Sequence, residues 1–318
     1  IVSRDWSSDV CSSDLGWQST VGITLAGRTF GLLGLGRQGR HMVPIARAFG
    51  MEVIAWSPNL TTASAAQHGV TRVEQDELFA RSDVLSIHLV LGERSRGIVG
   101  ANLGKNREVT DAAADYATCI EAVCPYADYL VCNLSSPNTP GLRNLQARAQ
   151  MQEIIERVLA ARERAGRGLP RLPPLLAKVG PDLDEAQILD IAEVALATKL
   201  DGLIVGNTTV DRPATLRSEH RNEGGGLSGL PLIEKSQACL AGMYKAVGGK
   251  VPIIGCGGVA SGAHAYAKIR AGASLVQLYS ALVYHGPALI TRIKQELAAQ
   301  LRADGFKSVA EAVGADAR

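Results

Sequence analysis

Six short apolar runs, each closed by a polar or glycine-bearing segment, restrict what this chain can fold into. They span residues 98–103, 129–134, 175–179, 202–205, 252–255 and 274–278, with helical patterns at 151–164, 185–197, 232–247, 263–271 and 288–301. Apolar runs of this length without polar alternation are those of strands buried on both faces. Their alternation with helices predicts parallel β-α-β units, and hence an α/β barrel or a doubly wound sheet. A closed (β/α)8 TIM barrel needs eight strands. Six are legible, so an incomplete barrel with two open edges is expected, and open edges favour aggregation.

The ends of these runs carry the chemistry. The first closes on Asn102-Leu103-Gly104-Lys105-Asn106 and the second on Asn133-Leu134-Ser135-Ser136-Pro137-Asn138-Thr139-Pro140-Gly141. The third holds Lys178 just before Pro181-Asp182, and the fourth closes on Gly206-Asn207-Thr208-Thr209. The fifth closes on Gly255-Cys256-Gly257-Gly258 and the sixth on Tyr279-Ser280. Any one of these would pass as an ordinary turn. Six in succession, at the strand ends where barrels place their sites, point to a polar cofactor and a planar polar substrate. Gly257 and Gly258 can present backbone N–H groups to a phosphate. Lys178 can stabilise negative charge developing on a cofactor ring. Carboxamides and hydroxyls donate and accept together, which suits a pyrimidine ring.

The first hundred residues read differently. A strand pattern at 29–33 leads into Gly34-Leu35-Gly36-Arg37-Gln38-Gly39, followed by an amphipathic stretch at 40–49 and a second strand at 52–56. This is a β-α-β unit carrying a G-x-G-x-x-G turn, a partial Rossmann-like fragment. Gly34 permits the tight turn, Gly36 lets the backbone approach a pyrophosphate, and Gly39 allows helix and strand to pack closely. The second strand ends in Trp56-Ser57-Pro58 without the usual acid, so the pattern accommodates either NAD or NADP. A further strand is expected at 82–89, with His88 as a core or strand-end residue. All three Trp lie in the first sixty residues, all seven Tyr after position 115, and no Lys precedes Lys105. That shift marks a seam near residue 100.

Balanced charge, with a formal net of +2, gives no electrostatic reason to expect nucleic acid. No apolar run approaches membrane-span length, and no secretory signal is seen at the start. The six Cys form no C-x-x-C pair and no zinc-spaced cluster, so no metal is expected and the thiols read as small buried residues.

Segments 34–39, 55–58, 82–89 and 94–100 resemble the NAD-binding domain of the D-isomer-specific 2-hydroxyacid dehydrogenases. The resemblance implies NAD(P) held by Gly34, Gly36, Arg37, Gln38 and Gly39. That family's catalytic Arg, Glu and His lie further along its chain than this segment reaches, and His88 is not that His.

From residue 98 onward the chain resembles dihydroorotate dehydrogenase. The resemblance is carried by Asn102 to Asn106, Asn133 to Arg143, Asn207-Thr208-Thr209, Gly225-Gly226-Leu227-Ser228-Gly229 and Ala271 to Tyr279. The serine at Ser136 places it with the quinone-linked class 2 rather than the cysteine-bearing class 1. The resemblance implies that FMN takes a hydride from dihydroorotate to give orotate, with a quinone as final acceptor. Ser136 would be the base, with Thr139 its nearest partner in sequence. Asn133, Asn138, Asn207 and Thr208 would hold the pyrimidine. Asn102, Asn133, Lys178, Gly206, Gly229, Gly258, Tyr279 and Ser280 would hold FMN. Gly206 departs from the Ser or Thr usual in the family, so one flavin hydrogen bond is expected to be lost or supplied by backbone. Peripheral attachment at the cytoplasmic side of the cell membrane is implied by the class alone, and a cytoplasmic location if the membrane segment is absent.

The resemblance starts at the family's third strand. The first two strands, a substrate-contacting Lys and the helices at the quinone entrance are not matched; the dehydrogenase-like fragment stands in their place. Residues 97–101 fit both families, and Asp9 to Leu15 look like translated sequencing adapter. The expected organisation is therefore 1–16 as artefact, 17–97 as the dinucleotide-binding fragment and 98–318 as the barrel fragment. The leading reading is a flavoenzyme oxidising dihydroorotate, carried by 98–318 and joined to a partial dinucleotide-binding fold, with turnover not expected while two barrel strands are missing; the alternatives are an NAD(P)-dependent D-2-hydroxyacid dehydrogenase fragment or a chimera without function.

Overall fold

The computed structural model describes residues 25–88, 100–106, 109–136 and 142–317. The expectations for 1–16, for the 94–100 motif and for Asn138 and Thr139 lie outside them. The first half runs β1 (Thr29–Leu33), α1 (Arg37–Ala48), β2 (Glu52–Trp56), α2 (Thr62–Gln67), β3 (Thr71–Arg72), α3 (Gln75–Arg81) and β4 (Val84–Ile87). These strands form a parallel sheet in the order β3-β2-β1-β4. Strand β1 is thus flanked by β2 and β4, which makes its carboxyl end the switch point where doubly wound sheets bind ligands.

Three glycines make that end possible. Gly34 turns the chain at φ +104°. A Cβ on Gly39 would lie 2.3 Å from the Gly34 carbonyl oxygen, so only glycine lets α1 approach β1 this closely. Gly36 has no heavy atom within 4 Å of a built Cβ, so its backbone is open to solvent or ligand. His88 follows β4, where its ring Nε2 lies 2.8 Å from the Ser86 hydroxyl.

The second half runs β5 (Gly100–Leu103), α4 (Ala112–Val123), β6 (Tyr129–Asn133), α5 (Arg148–Ala165), β7 (Leu175–Val179), α6 (Glu185–Ala197) and β8 (Gly202–Val205). It continues through α7 (Ile233–Val247), β9 (Ile253–Cys256), α8 (Gly262–Arg270), β10 (Leu275–Gln277), α9 (Ser280–His285), α10 (Ala288–Ala303) and α11 (Val309–Ala312). The six strands pair in parallel in chain order. Among the described residues β5 pairs only with β6 and β10 only with β9, so the sheet is an open, incomplete TIM barrel. Strands β1 to β4 form a separate sheet, and the two halves meet instead where α10 packs against α3.

Alternation along the strands divides the core. Leu130, Cys132, Leu175, Ala177, Leu203 and Val205 face the helices, where Tyr116, Ile120, Met151, Ile155, Leu240 and Met243 cover them. Val131, Leu176 and Ile204 form the opposite, inner face. Local signals set the helix ends. Asp184 and Gln187 close a capping box on α6, Ser261 caps α8, and Gly248 in the left-handed region ends α7. Helix α4 was not anticipated: its Ala-rich sequence has no clean apolar stripe, although Asp111 caps it through the Ala114 N–H.

Gly39→Ala tests the close approach of α1 to β1. It is expected to destabilise the first sheet by about 1–3 kcal/mol. Amide exchange should quicken over residues 29–56 while β6 to β8 stay protected; unchanged exchange at 29–56 would contradict the packing described.

Candidate active site

Parallel pairing puts every carboxyl end of the six-stranded sheet on one rim. Asn102 stands in register with Val131, Asn133 with Lys178, and Lys178 with Ile204. Residues in register share a face, so Asn102, Asn133 and Lys178 point to the inner side beside Val131, Leu176 and Ile204. The Lys178 side chain makes no hydrogen bond or ion pair among the described residues, while its carbonyl accepts from the Leu134 N–H at 3.0 Å. Its ammonium is therefore available to a ligand.

Asn133, 4% exposed, is the centre of a hydrogen-bonded cluster. Its Oδ1 accepts from the Ser135 hydroxyl at 3.2 Å and from Asn207 Nδ2 at 3.4 Å. Asn207 Nδ2 also reaches the Ser135 hydroxyl at 3.0 Å. The Tyr116 hydroxyl donates to the Asn133 carbonyl at 2.6 Å, and burial keeps that phenol protonated far above its usual range. The cluster joins the ends of β6 and β8 across β7. Asn207 Oδ1 accepts the Thr208 N–H at 2.8 Å, which holds the β8 end in its turn. Ser136, next along from Ser135, is buried.

Two buried oxygens on this rim lack a partner among the described residues: Asn102 Oδ1 and Thr208 Oγ1. A buried polar atom left unpaired costs about 1–3 kcal/mol, so these atoms mark places where a polar ligand would be held. Gly206 sits between β8 and Asn207 at φ +114°, and a Cβ there would lie 2.1 Å from the Cys256 carbonyl oxygen. Its N–H already donates to Val179 at 3.1 Å.

The far end of the rim has a different character. Gly257 and Gly258 turn at φ +102° and +76°, and a Cβ on Gly258 would fall 2.6 Å from Ile233 Cα. The turn is thus seated against the start of α7, where Gly229, at φ +84°, leads in through a 3-10 turn. A glycine turn against a helix N-terminus after a late barrel strand fits a phosphate. Ser280 donates to the Ser228 hydroxyl at 2.8 Å, while Tyr279 is exposed.

A brace behind the rim was not singled out from the sequence. The Asp182 carboxylate accepts from Arg143 at 2.7 Å, from the Val210 N–H at 3.1 Å and from the Thr209 hydroxyl, and it pairs with Lys235 at 2.9 Å. Arg143 in turn donates to the Thr208 carbonyl at 3.0 Å. One carboxylate thereby ties the segments after β6, β7 and β8 to α7. Burial pushes Asp182 up, but Thr209, Lys235, Val210 and Arg143 outweigh it and hold the acid below its usual range. The only hint in the sequence was a Pro-Asp pair after the third run. Among the described residues no group of His, Cys, Asp and Glu could hold a metal.

The parallel strands bring a rim of carboxamides, hydroxyls, one lysine and a glycine turn to the carboxyl end of the sheet, where β/α-barrels carry their sites. The chain belongs to the dihydroorotate dehydrogenase family, whose profile matches residues 67–301. Residues 5–108 also match the NAD-binding domain of the D-isomer-specific 2-hydroxyacid dehydrogenases, so the two matches overlap at 67–108. The chain is 58% identical over 232 residues to a dihydroorotate dehydrogenase (quinone) of Xanthobacter autotrophicus, covering 72% of this chain and 65% of that one. It is 49% identical over 220 residues to the mitochondrial enzyme of Mus musculus, covering 69% and 55% respectively. A ligand-free dihydroorotate dehydrogenase from Eimeria tenella superposes with a TM-score of 0.68 at 39% identity, covering 79% of this chain and 73% of that one. The same enzyme bound to ferulenol gives 0.67 at 43% identity, covering 70% and 62%. The chain spans 65%, 62% and 61% of the length of three of the curated relatives it matches.

Asp182→Ala would leave Arg143 and Lys235 without their shared partner. It is expected to cost about 3 kcal/mol. Because the acid is depressed in the folded chain, its contribution is present at neutral pH and lost as pH falls through and below the ordinary carboxylate range. Urea unfolding of both chains at pH 7 and pH 3 checks this: the gap should shrink at the lower pH.

Proposed function

We propose that residues 100–317 bind FMN and a pyrimidine carboxylic acid, and that their chemistry is the oxidation of dihydroorotate to orotate with a quinone as final acceptor. The observation that carries this is the Asn133–Ser135–Asn207 cluster flanked by the two unpaired oxygens of Asn102 and Thr208. A pyrimidine or flavin edge offers N–H groups to such acceptors. The quinone comes from the names of the relatives. A lipid-soluble acceptor would bring the protein to a membrane surface; among the described residues no helix is long and apolar enough to cross one.

Asn102, Lys178, Gly229, Gly258, Tyr279 and Ser280 would hold FMN, with the carbonyl of Gly206 beside its ring. When bound, FMN supplies the two-electron acceptor. Asn133, Asn207 and Thr208, with Asn138, would orient the substrate ring. Ser136 would take the C5 proton. Ser136 is buried, and a hydroxyl needs hydrogen-bonded activation or a relay such as Thr139 to act as a base. Lys178 would steady negative charge on the ring system.

The test is titration of the purified full chain with FMN and then orotate, followed by assay of orotate formation with a quinone. Stoichiometric FMN and orotate binding supports the site, and failure to bind either overturns it. Binding without turnover would support the site and overturn the proposed oxidation for this chain. If turnover is found, Ser136→Ala should slow it at least about 100-fold with FMN retained.

A second reading is favoured by the first sheet. Gly34 turns at φ +104°, Gly36 has open space beside its backbone and Gly39 packs against Gly34, at the switch point beside β1 where a pyrophosphate-binding turn would sit. On this reading the fragment binds NAD(H) or NADP(H) independently of the barrel. Gly36→Val has room in the fold but would block the ligand. It should abolish the fluorescence enhancement of added NADH without changing thermal stability; enhancement that survives the substitution would contradict this reading.

A further inference from the structure

Lys268, on α8, is fully buried, and the mechanism above does not use it. Its stem passes over β9, with Cδ 3.2 Å from a Cβ built on Gly255. Its Nζ donates to the Ser236 hydroxyl of α7 at 2.9 Å. Among the described residues no carboxylate pairs with it. The nearby Cys239 thiol does not compensate it either, because burial pushes it up to about 12 and keeps it neutral. Burial lowers Lys268 itself to about 8, which still leaves the ammonium charged at neutral pH. An unpaired buried cation is costly to keep.

The next contact shows where that charge is directed. Ser236 is also fully buried, and its Oγ lies 3.0 Å from both the Ile233 and the Gly257 carbonyl oxygens. Since Oγ accepts from Lys268, its single proton must go to one of these carbonyls. The peptide between Gly257 and Gly258 is trans, so a Gly257 carbonyl held toward Ser236 sends the Gly258 N–H in the opposite direction. Gly257 and Gly258 are packed against Leu232, Ile233 and Ser236 so tightly that neither accepts a Cβ without displacement. The turn is therefore fixed from behind by a serine that a buried lysine orients.

We propose that Lys268 is a positioning residue for the phosphate of bound FMN, acting through Ser236 on the Gly257–Gly258 turn so that Gly258 N–H is presented to the anion. This rests on the flavin reading above. The anion would in turn balance the buried ammonium. The part recognised is the phosphate and not the isoalloxazine ring, and that distinction makes the assignment testable.

The experiment is fluorescence titration of the full chain and of Lys268→Met with FMN and with riboflavin, which lacks the phosphate. The parent chain should prefer FMN. Lys268→Met should lose FMN affinity by at least about ten-fold, the scale of a hydrogen bond to a charged group, while riboflavin affinity stays within about two-fold. Equal loss of both ligands would show a merely structural role and overturn the proposal, as would loss of neither. A parent chain that binds neither flavin overturns the flavin reading and the assignment together. A parent chain that binds FMN no better than Lys268→Met overturns the assignment alone. Should Lys268→Met fail to fold, Ser236→Ala breaks the same relay and is read with the same two ligands.

Discussion

Parallel pairing in the six-stranded sheet is the constraint on which the rest depends. Each strand is returned to the same end by a helix, so all carboxyl ends lie on one rim and all helices on one side. Residues separated by about seventy positions, such as Asn133 and Asn207, then come within hydrogen-bond reach. The strand period of two does the remaining sorting. Leu130 and Cys132 go to the helices, while Val131 and Asn133 go to the inner face.

The polar rim is held from behind by charges that take no direct part in it. Asp182 gathers Arg143, Lys235, Thr209 and the Val210 N–H, and Arg143 passes the restraint to the Thr208 carbonyl. Carboxamides and hydroxyls at strand ends have several rotamers, and a cluster of them recognises a flat ligand only if the backbone beneath is fixed. The same logic runs through Lys268 and Ser236 at the phosphate end. Lys268 is fully buried and Asp182 only partly so, and both lie where screening is weaker than at an exposed surface pair.

Much of the fold was legible beforehand because buried strands and amphipathic helices leave periodic signatures. Strands 175–179 and 202–205 and helix 185–197 lie where the pattern put them. Helix α4 did not show, since an Ala-rich segment buries its face without a marked stripe. The short elements α2, β3 and α3 were missed because they are too brief to show a period. The rim residues were legible because asparagine and serine at strand ends stand out against apolar runs. Ser236 and Lys268 were not, since a serine and a lysine inside amphipathic helices look like solvent-facing positions.

The sequence by itself determined the two strand–helix repeats, the glycine turns and the chemical character of the strand ends, because these follow from local period and residue type. It also carried the seam between the halves, visible in where Trp, Tyr and Lys occur. Only the tertiary structure decided which polar groups meet and which are left unpaired. It joined Asn133 to Ser135 and Asn207, left Asn102 Oδ1 and Thr208 Oγ1 without partners among the described residues, and buried Lys268 behind the Gly257–Gly258 turn. The physical reason is that burial and partnership belong to the packing of distant segments, and no local pattern encodes the register at which those segments come together.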